Sequence, residues 1–214
     1  MIWMIITPIA HSAFLIETQD CNLLFDWAMG TLPSLDSGKP LYVFVSHSHS
    51  DHYNPRIFSL PAKKFILSDE IQEKQAQRED VIHIAAHQSI ELDGMHITSL
   101  ASNDLGCAFV IDTKQGSIYH AGDLNNWWWD GDAEDQRSAD FYHKELSRIK
   151  GKHFVCAMIP YDLRIKQPGF GIRDFLEYCS ADRIYPMHWN ASKQEVMQRI
   201  KTDPVMKGVR NVYI

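Results

Sequence analysis

The segment Val43-Phe-Val-Ser-His-Ser-His-Ser-Asp-His-Tyr53 decides the reading of this chain. An apolar run leads straight into His47-x-His49-x-Asp51-His52, so three imidazoles and a carboxylate crowd six positions. In extended backbone, side chains two apart point the same way, and His47 and His49 can grip one metal ion together. Asp51 and His52 follow where the chain turns and can face a neighbouring ion. Imidazole nitrogens with carboxylate oxygens suit zinc, iron or manganese, and a site left open to water generates hydroxide near neutral pH. A strand that ends in such a loop is the context that separates a metal motif from a polar loop that happens to hold histidines.

Outward from the motif, short apolar runs predict strands over 2–6, 13–17, 23–25 and 41–45, some buried on both faces. Between the last two, 31–40 is rich in Pro, Ser, Gly and Asp and reads as a surface loop near the site. After the motif, a strand over 65–67 runs into Ser68-Asp-Glu, whose capping and acidic residues predict the start of a polar helix. Further strands are expected over 81–84, 90–92, 95–100, 108–111 and 117–119, parted by Asp-Gly and Lys-Gln-Gly turns. From residue 133 the rhythm becomes helix, strand, helix, strand, helix, over 133–150, 154–159, 172–179, 183–185 and 192–202. Neither linker nor repeat interrupts the chain, so residues 1–214 are expected to form one domain.

With 214 residues and 45% hydrophobic content, the chain can bury one sizeable core. A net charge of -6 and a pI near 6.0 argue against a nucleic-acid partner, which is gripped through clustered Lys and Arg. Cys21, Cys107, Cys156 and Cys179 show no CxxC pairing and read as buried thiols. The opening Met1-Ile-Trp-Met-Ile-Ile-Thr-Pro-Ile9 lacks a basic start and is interrupted too soon for a signal or membrane segment. These features lead to the expectation of a cytoplasmic protein without a membrane partner.

The sequence resembles the metallo-β-lactamase superfamily, whose HxHxDH signature stands intact at 47–52. The likeness covers nearly the whole chain. His11-Ser-Ala-Phe-Leu-Ile-Glu17 with Leu24-Phe-Asp26 resembles the family's opening hairpin, Tyr119-His-Ala-Gly-Asp123 its bridging-aspartate motif and Tyr185-Pro-Met-His188 its final histidine motif. The branch most resembled is the bacterial group of metal-dependent hydrolases that includes ascorbate-6-phosphate lactonase. This resemblance implies an α/β fold, a four-layer αββα sandwich of the metallo-β-lactamase type. It also implies one or two divalent metals, zinc first, with manganese or iron as alternatives. His47 and His49 would hold the first ion, Asp51, His52 and His188 the second, and Asp123 would bridge them. Asp123 follows an apolar strand and a Gly that relieves crowding, and His188 follows a strand and a Pro.

One departure stands out. Members of the family usually give the first ion a third histidine from the loop before the Gly-Asp motif, and here that loop reads Leu100-Ala-Ser-Asn-Asp-Leu-Gly106. Asp104, or less readily Ser102, would take its place and make the first site harder and richer in oxygen. Two outcomes compete: a complete dinuclear site, or one tight ion at Asp51, His52, Asp123 and His188 with a weak or vacant partner. His83, His87 and His96 lie in or after strand-like runs and read as surface or core residues.

The implied activity is attack of a metal-bound hydroxide on a small-molecule ester, lactone or phosphoester. Asp51 would orient or deprotonate the water, and the leaving group would take its proton from a metal-bound water or from His11 or His120, which flank the site in the resemblance and could instead simply hydrogen-bond backbone. Asp26 would back a ligand histidine. Trp127, Trp128 and Trp129 cannot all enter one core, so they form an aromatic wall to the cleft, a loop packed on the domain or a dimer contact. Tyr161, Asp162 and Arg164 end a strand and reach towards substrate, Arg164 towards an anionic group. The alternatives are a nuclease or phosphodiesterase, for which no clamp domain or basic arm is visible; a diiron redox centre, where His49 stands in place of a glutamate; and a non-catalytic metal-binding scaffold. A homo-oligomer is compatible with the sequence, which does not set its state.

Overall fold

A computed structural model of the protein describes residues 4–214. The start of the strand expected over 2–6, and part of the opening segment read as neither signal nor anchor, therefore lie outside the described residues. The first sheet is β1 (Ile5–Ala10), β2 (Ala13–Glu17), β3 (Asn22–Phe25), β4 (Leu41–Val45), β5 (Lys64–Ser68) and β6 (Val81–Ile84), in that spatial order. The second holds β7 (Ser89–Leu92), β8 (Met95–Ala101), β9 (Cys107–Thr113), β10 (Gly116–His120), β12 (Cys156–Pro160) and β14 (Ile184–Met187), ordered β14-β12-β10-β9-β8-β7. A small third sheet pairs β11 (His153–Phe154) with β13 (Ser180–Ala181). Helices α1 (Ala133–Ser147), α2 (Phe170–Tyr178) and α3 (Lys193–Thr202) complete the chain.

The two sheets pack face to face, as the resemblance implies. Strand alternation sorts the side chains. On β4, Tyr42 and Phe44 turn into the core between the sheets, while Leu41, Val43 and Val45 join a second cluster on the outer face with Tyr53 and Ile57. Phe44 stacks on Phe25 with centroids 4.9 Å apart and meets Phe109 of the opposite sheet edge-on at 5.4 Å. Truncating a side chain so placed costs about 3–5 kcal/mol. Tyr119 faces the other way and stacks on Phe175 of α2 at 5.1 Å. The helices thus add Tyr142, Leu146, Ile172 and Phe175 to the core cluster of the second sheet.

The outer layer over the first sheet is thinner than the sequence suggests. Between β5 and β6 no α-helix forms, only a 3-10 turn at Lys74–Ala76. Ser68-Asp-Glu supplies starting signals, but the segment behind it buries only Ile71 and Ala76, five apart, and a helix needs apolar residues three or four apart to pack a face. Glu70 instead accepts the Ser48 N–H at 2.6 Å, tying this connection to the histidine motif. The 31–40 segment also differs from expectation: none of its residues lines the cleft described below. Because β3 and β4 are parallel, it must carry the chain from one end of the sandwich back to the other.

The same parallel geometry gathers chemistry at one edge. β3, β4, β10, β12 and β14 run in parallel pairs, and their carboxyl ends deliver Asp26, the His47–His52 loop, Asp123, Asp162 and His188. Open α/β sheets bind ligands at this edge.

Candidate metal centre

Close backbone approach sets the positions of these residues. The β8–β9 loop carrying Asp104 folds against the start of the histidine motif, where Cys107 N–H donates to the Ser46 carbonyl at 3.0 Å. Gly106, with φ +67°, makes that approach feasible: a Cβ there would lie 2.0 Å from the Ser46 carbonyl oxygen and 2.7 Å from His47 Cβ. Asn103 locks the same loop to its neighbour. Its amide donates to the Asn125 carbonyl at 2.7 Å and Ser138 Oγ at 2.9 Å, and its oxygen accepts the Asn125 N–H at 3.2 Å. On the other flank, Gly122 (φ +51°) lets the chain before Asp123 pass Ser46, where a Cβ would meet Ser46 Cβ at 2.7 Å. His11, Asp26 and His188 hold left-handed backbone at φ +51°, +42° and +62°. Each such residue costs about 1–3 kcal/mol, a strain that gathers where the surrounding structure is built for function.

Two donor groups result. His47, His49, Asp104 and Asp123 form one, and His11, Asp51, His52 and His188 the other, the ligand atoms of each lying within 4.8 Å of one another. Asp123 stands between the groups. Its Oδ1 is 3.1 Å from His52 Nε2, and its Oδ2 is 3.5 Å from His47 Nε2 and 3.4 Å from His188 Nε2. His49 Nδ1 lies 3.4 Å from Asp104 Oδ2. Three imidazoles are held from behind through Nδ1: His52 by Asp26 at 2.7 Å, His188 by Asp162 at 3.1 Å and His47 by Ser46 Oγ at 3.0 Å. A proton on Nδ1 donated to these partners turns an Nε2 lone pair towards the centre.

Electrostatics follow from the crowding. Burial, reinforced by neighbouring His52, pushes His47 down to about 4. Burial works the same way on His52 and His188, but the carboxylates of Asp123 and Asp26 outweigh it for His52, which rises to about 10. Those of Asp123 and Asp162 raise His188 to about 9. The Asp51 carboxyl is held well below the usual range, first by His11. A carboxylate so weakly basic is suited to ligation or to orienting water, and poorly to deprotonating it.

Other expected site residues lie elsewhere. His120 shares a face of β10 with Ile118, is fully buried and stacks on Phe25 with centroids 5.0 Å apart. Its Nε2 donates to the Ser12 carbonyl at 2.9 Å and its Nδ1 accepts the Gly122 N–H at 3.2 Å, so neither nitrogen is free for acid catalysis. Burial also lowers its basicity. Tyr161 is buried and donates to Asp203 at 2.8 Å, while Asp162 backs His188 rather than facing substrate. Arg164 lines the cleft but is held by Asp162, Nε to Oδ2 at 2.9 Å. Ser102 accepts the Asp104 N–H through its hydroxyl at 3.2 Å. His83, His87 and His96 bond to Ala76, Glu145 and Glu91 and belong to neither donor group. The tryptophans divide: Trp127 and Trp129 stack at 6.3 Å along the cleft, and Trp128 packs on Phe170. Asp162, Ser46 and Asn103 were not read as supports of the site. Asp162 carried a visible signal, since it follows an apolar strand just as Asp26 and Asp123 do.

The donors fit a cation. His47 Nε2, His52 Nε2, both nitrogens of His11 and Asp123 Oδ1 are buried and have no hydrogen-bond partner among the described residues. Short separations between His52 and Asp123 thus lack hydrogen-bond alignment, as expected for donors aimed at a shared centre. Orphaned buried polar atoms are costly, and divalent metal would satisfy them together. Above them opens a cleft of about 600 Å³ lined by Asp51, Asp104, Asp123 and His188 and by the exposed carboxylates Asp130, Asp132 and Glu134.

The beta-lactamase superfamily domain matches residues 5–140. A UPF0173 metal-dependent hydrolase from Pyrobaculum neutrophilum is 28% identical over 199 residues, covering 84% of this chain and 81% of that protein. Among solved structures, Igni18, a metallo hydrolase from Ignicoccus hospitalis, superposes with a TM-score of 0.65 at 19% identity, covering 99% of this chain and 94% of its own. CmlA, a diiron beta-hydroxylase from Streptomyces venezuelae, gives 0.64 at 10% identity, covering 98% and 52%.

Proposed function

Because the chain belongs to the beta-lactamase superfamily domain family, we propose that it is a metal-dependent hydrolase of small-molecule esters, lactones or phosphoesters, with two divalent metals held side by side. The observation that carries this reading is the pair of donor groups meeting at Asp123 under an open cleft. His47, His49 and Asp104 would hold the first ion, Asp51, His52 and His188 the second, and Asp123 both. Mixed nitrogen and oxygen donors put zinc first, with manganese or iron as alternatives. Bound there, the metals supply Lewis acidity and bring water within reach of ionisation near neutral pH.

The chain's own groups supply the rest. Asp51 is kept ionised and orients the attacking water. Trp127 and Trp129 offer an apolar wall to one side of the substrate. Arg164, fixed by Asp162, presents its remaining N–H groups at the cleft wall, where a carbonyl or phosphoryl oxygen can accept them. The lining offers no imidazole besides His49 and His188, both of them donors, so the leaving group takes its proton from solvent.

Exposed carboxylates lining the cleft oppose a polyanion, which supports a small molecule over nucleic acid. An imidazole at His49 favours hydrolysis over the oxidative chemistry of a diiron enzyme, since the fold alone chooses neither. Four buried, unpaired cysteines fit a reducing compartment and favour the cytoplasm; among the described residues no helix is long and apolar enough to cross a membrane.

The test is metal content by elemental analysis for the natural chain and Asp104→Ala, alongside turnover of generic ester, lactone and phosphodiester substrates. Two ions falling to about one, with loss of turnover, is the expected result. One ion in both would leave a mononuclear site; metal without any turnover would make the protein a scaffold.

A further inference from the structure

His11 occupies a position that turn chemistry alone would not give to histidine. It opens the two-residue turn between β1 and β2, closed by the Ala10–Ala13 pair, at φ +51°. Glycine or asparagine is at home in such a left-handed turn position, and a bulkier side chain is strained there. The side chain is nevertheless only 3% exposed, and neither ring nitrogen has an aligned hydrogen-bond partner among the described residues. Its Nε2 lies 3.3 Å from Asp51 Oδ2. Its ring centroid is 4.4 Å from that of His188 and 5.5 Å from that of His52. Its backbone carbonyl accepts the His188 N–H at 3.2 Å, which joins the turn to the loop that carries the last ligand.

From this geometry we infer that His11 is a metal ligand, completing the second site as His11, Asp51, His52 and His188. A buried imidazole with no aligned hydrogen bond, whose Nε2 has the Asp51 carboxylate beside it at 3.3 Å, is destabilising unless a cation shared with that carboxylate claims the nitrogen. Asp51, His52 and His188 already converge on the space that His11 Nε2 faces. A proton donor would need a path to the substrate, and His11 does not line the cleft. The inference has a consequence for the division of labour. With Asp123 shared, five protein donors would hold the second ion and four the first, so an exchangeable position is easier to keep at the first. His49 and Asp104, each nearly half exposed, line the cleft together with Asp51 and His188 of the second group.

The inference rests on the metal-binding part of the proposed function, and its test is read without turnover. Cobalt(II) is titrated into the metal-free natural chain, His11→Gly and His11→Asn, with the visible spectrum and bound cobalt recorded; both substitutions tolerate left-handed backbone, and circular dichroism checks the fold. The natural chain is expected to bind two ions. Each variant should keep the first and bind the second more than about 100-fold less tightly, beyond the 10–100-fold typical of losing a residue that merely supports a ligand. Added imidazole should restore the second ion in His11→Gly. Two ions bound with unchanged affinity in the variants would overturn the ligand role, whether or not turnover falls. Loss of affinity within 10–100-fold and no rescue by imidazole would reduce His11 to a positioning residue. A natural chain that binds no cobalt would overturn both readings, whereas two ions without hydrolysis would sink only the hydrolase.

Discussion

The two donor groups flanking Asp123 are built in opposite ways. In the group of His11, Asp51, His52 and His188, all three imidazoles are buried, two of them held from behind by the buried carboxylates Asp26 and Asp162, while Asp51, 40% exposed, opens to the cleft. In the other, His47 is buried against Ser46, but His49 and Asp104 stand 48% and 46% exposed and meet each other from adjoining loops. Rigid, enclosed donors favour tight retention of an ion; exposed donors on loops favour exchange and access by substrate. If both ions bind as proposed, the group with the enclosed imidazoles would hold its ion the more tightly, and Asp123 would couple the two.

Removing the coupler is the strongest way to break that contrast. Asp123→Ala is expected to release both ions and to lower kcat/KM by more than about 1,000-fold, beyond the 100 to 1,000-fold carried by a single electrostatic donor. Elemental analysis with steady-state kinetics reads both effects. Retention of one full ion would show that the groups are independent and that Asp123 belongs to one of them only.

How legible each donor was follows from how it is placed. His47 to His52 lie within six residues of one strand end, so period and spacing exposed them at once. Asp123 and His188 also end apolar strands, and there the resemblance was needed to tell them from ordinary polar residues. Asp104 sits in a loop with no periodicity, placed by Gly106 squeezed against Ser46 and by the hydrogen bonds of Asn103. Strand boundaries were legible because alternation and turn residues carry them. The polar helix after Ser68 was not, since its starting signals are local while its absence reflects the lack of an apolar face. His120, which the resemblance put beside the site as either a proton donor or a backbone partner, takes the second role: strand alternation turns it into the core.

Protonation offers a gentler way to sharpen the comparison. In the metal-free protein His52 titrates near 10 and His188 near 9, so both carry protons at pH 7, while His47, near 4, does not. Metal must displace those protons from His52 and His188. Loading the metal-free chain at pH 7 is expected to release about two protons, and the enclosed site's affinity to rise by up to about 100-fold per pH unit until pH 9, by mass action on two groups. Calorimetry in buffers of different ionisation enthalpy counts the protons. Release that does not decline above pH 10 would mean that they come from other groups.

The smallest expected effects concern the residues behind the ligands, where the two halves should part company. Asp162 touches only the enclosed half, through His188 Nδ1. Asp26 touches both: its Oδ2 takes the His52 Nδ1 proton and also accepts from Ser46 Oγ at 2.6 Å, and that hydroxyl in turn accepts from His47 Nδ1. Replacing either carboxylate by an amide keeps the shape and removes the charge that sets the imidazole tautomer, a change worth about 10–100-fold in metal affinity. Asp162→Asn should therefore weaken one ion, and Asp26→Asn both, the first less than the second because a hydroxyl relays the effect. Ser46→Ala should then weaken only the first. Cobalt titrations resolve the two affinities, and equal losses at both sites in Asp162→Asn would show that the enclosed and open halves share one network rather than meeting only at Asp123.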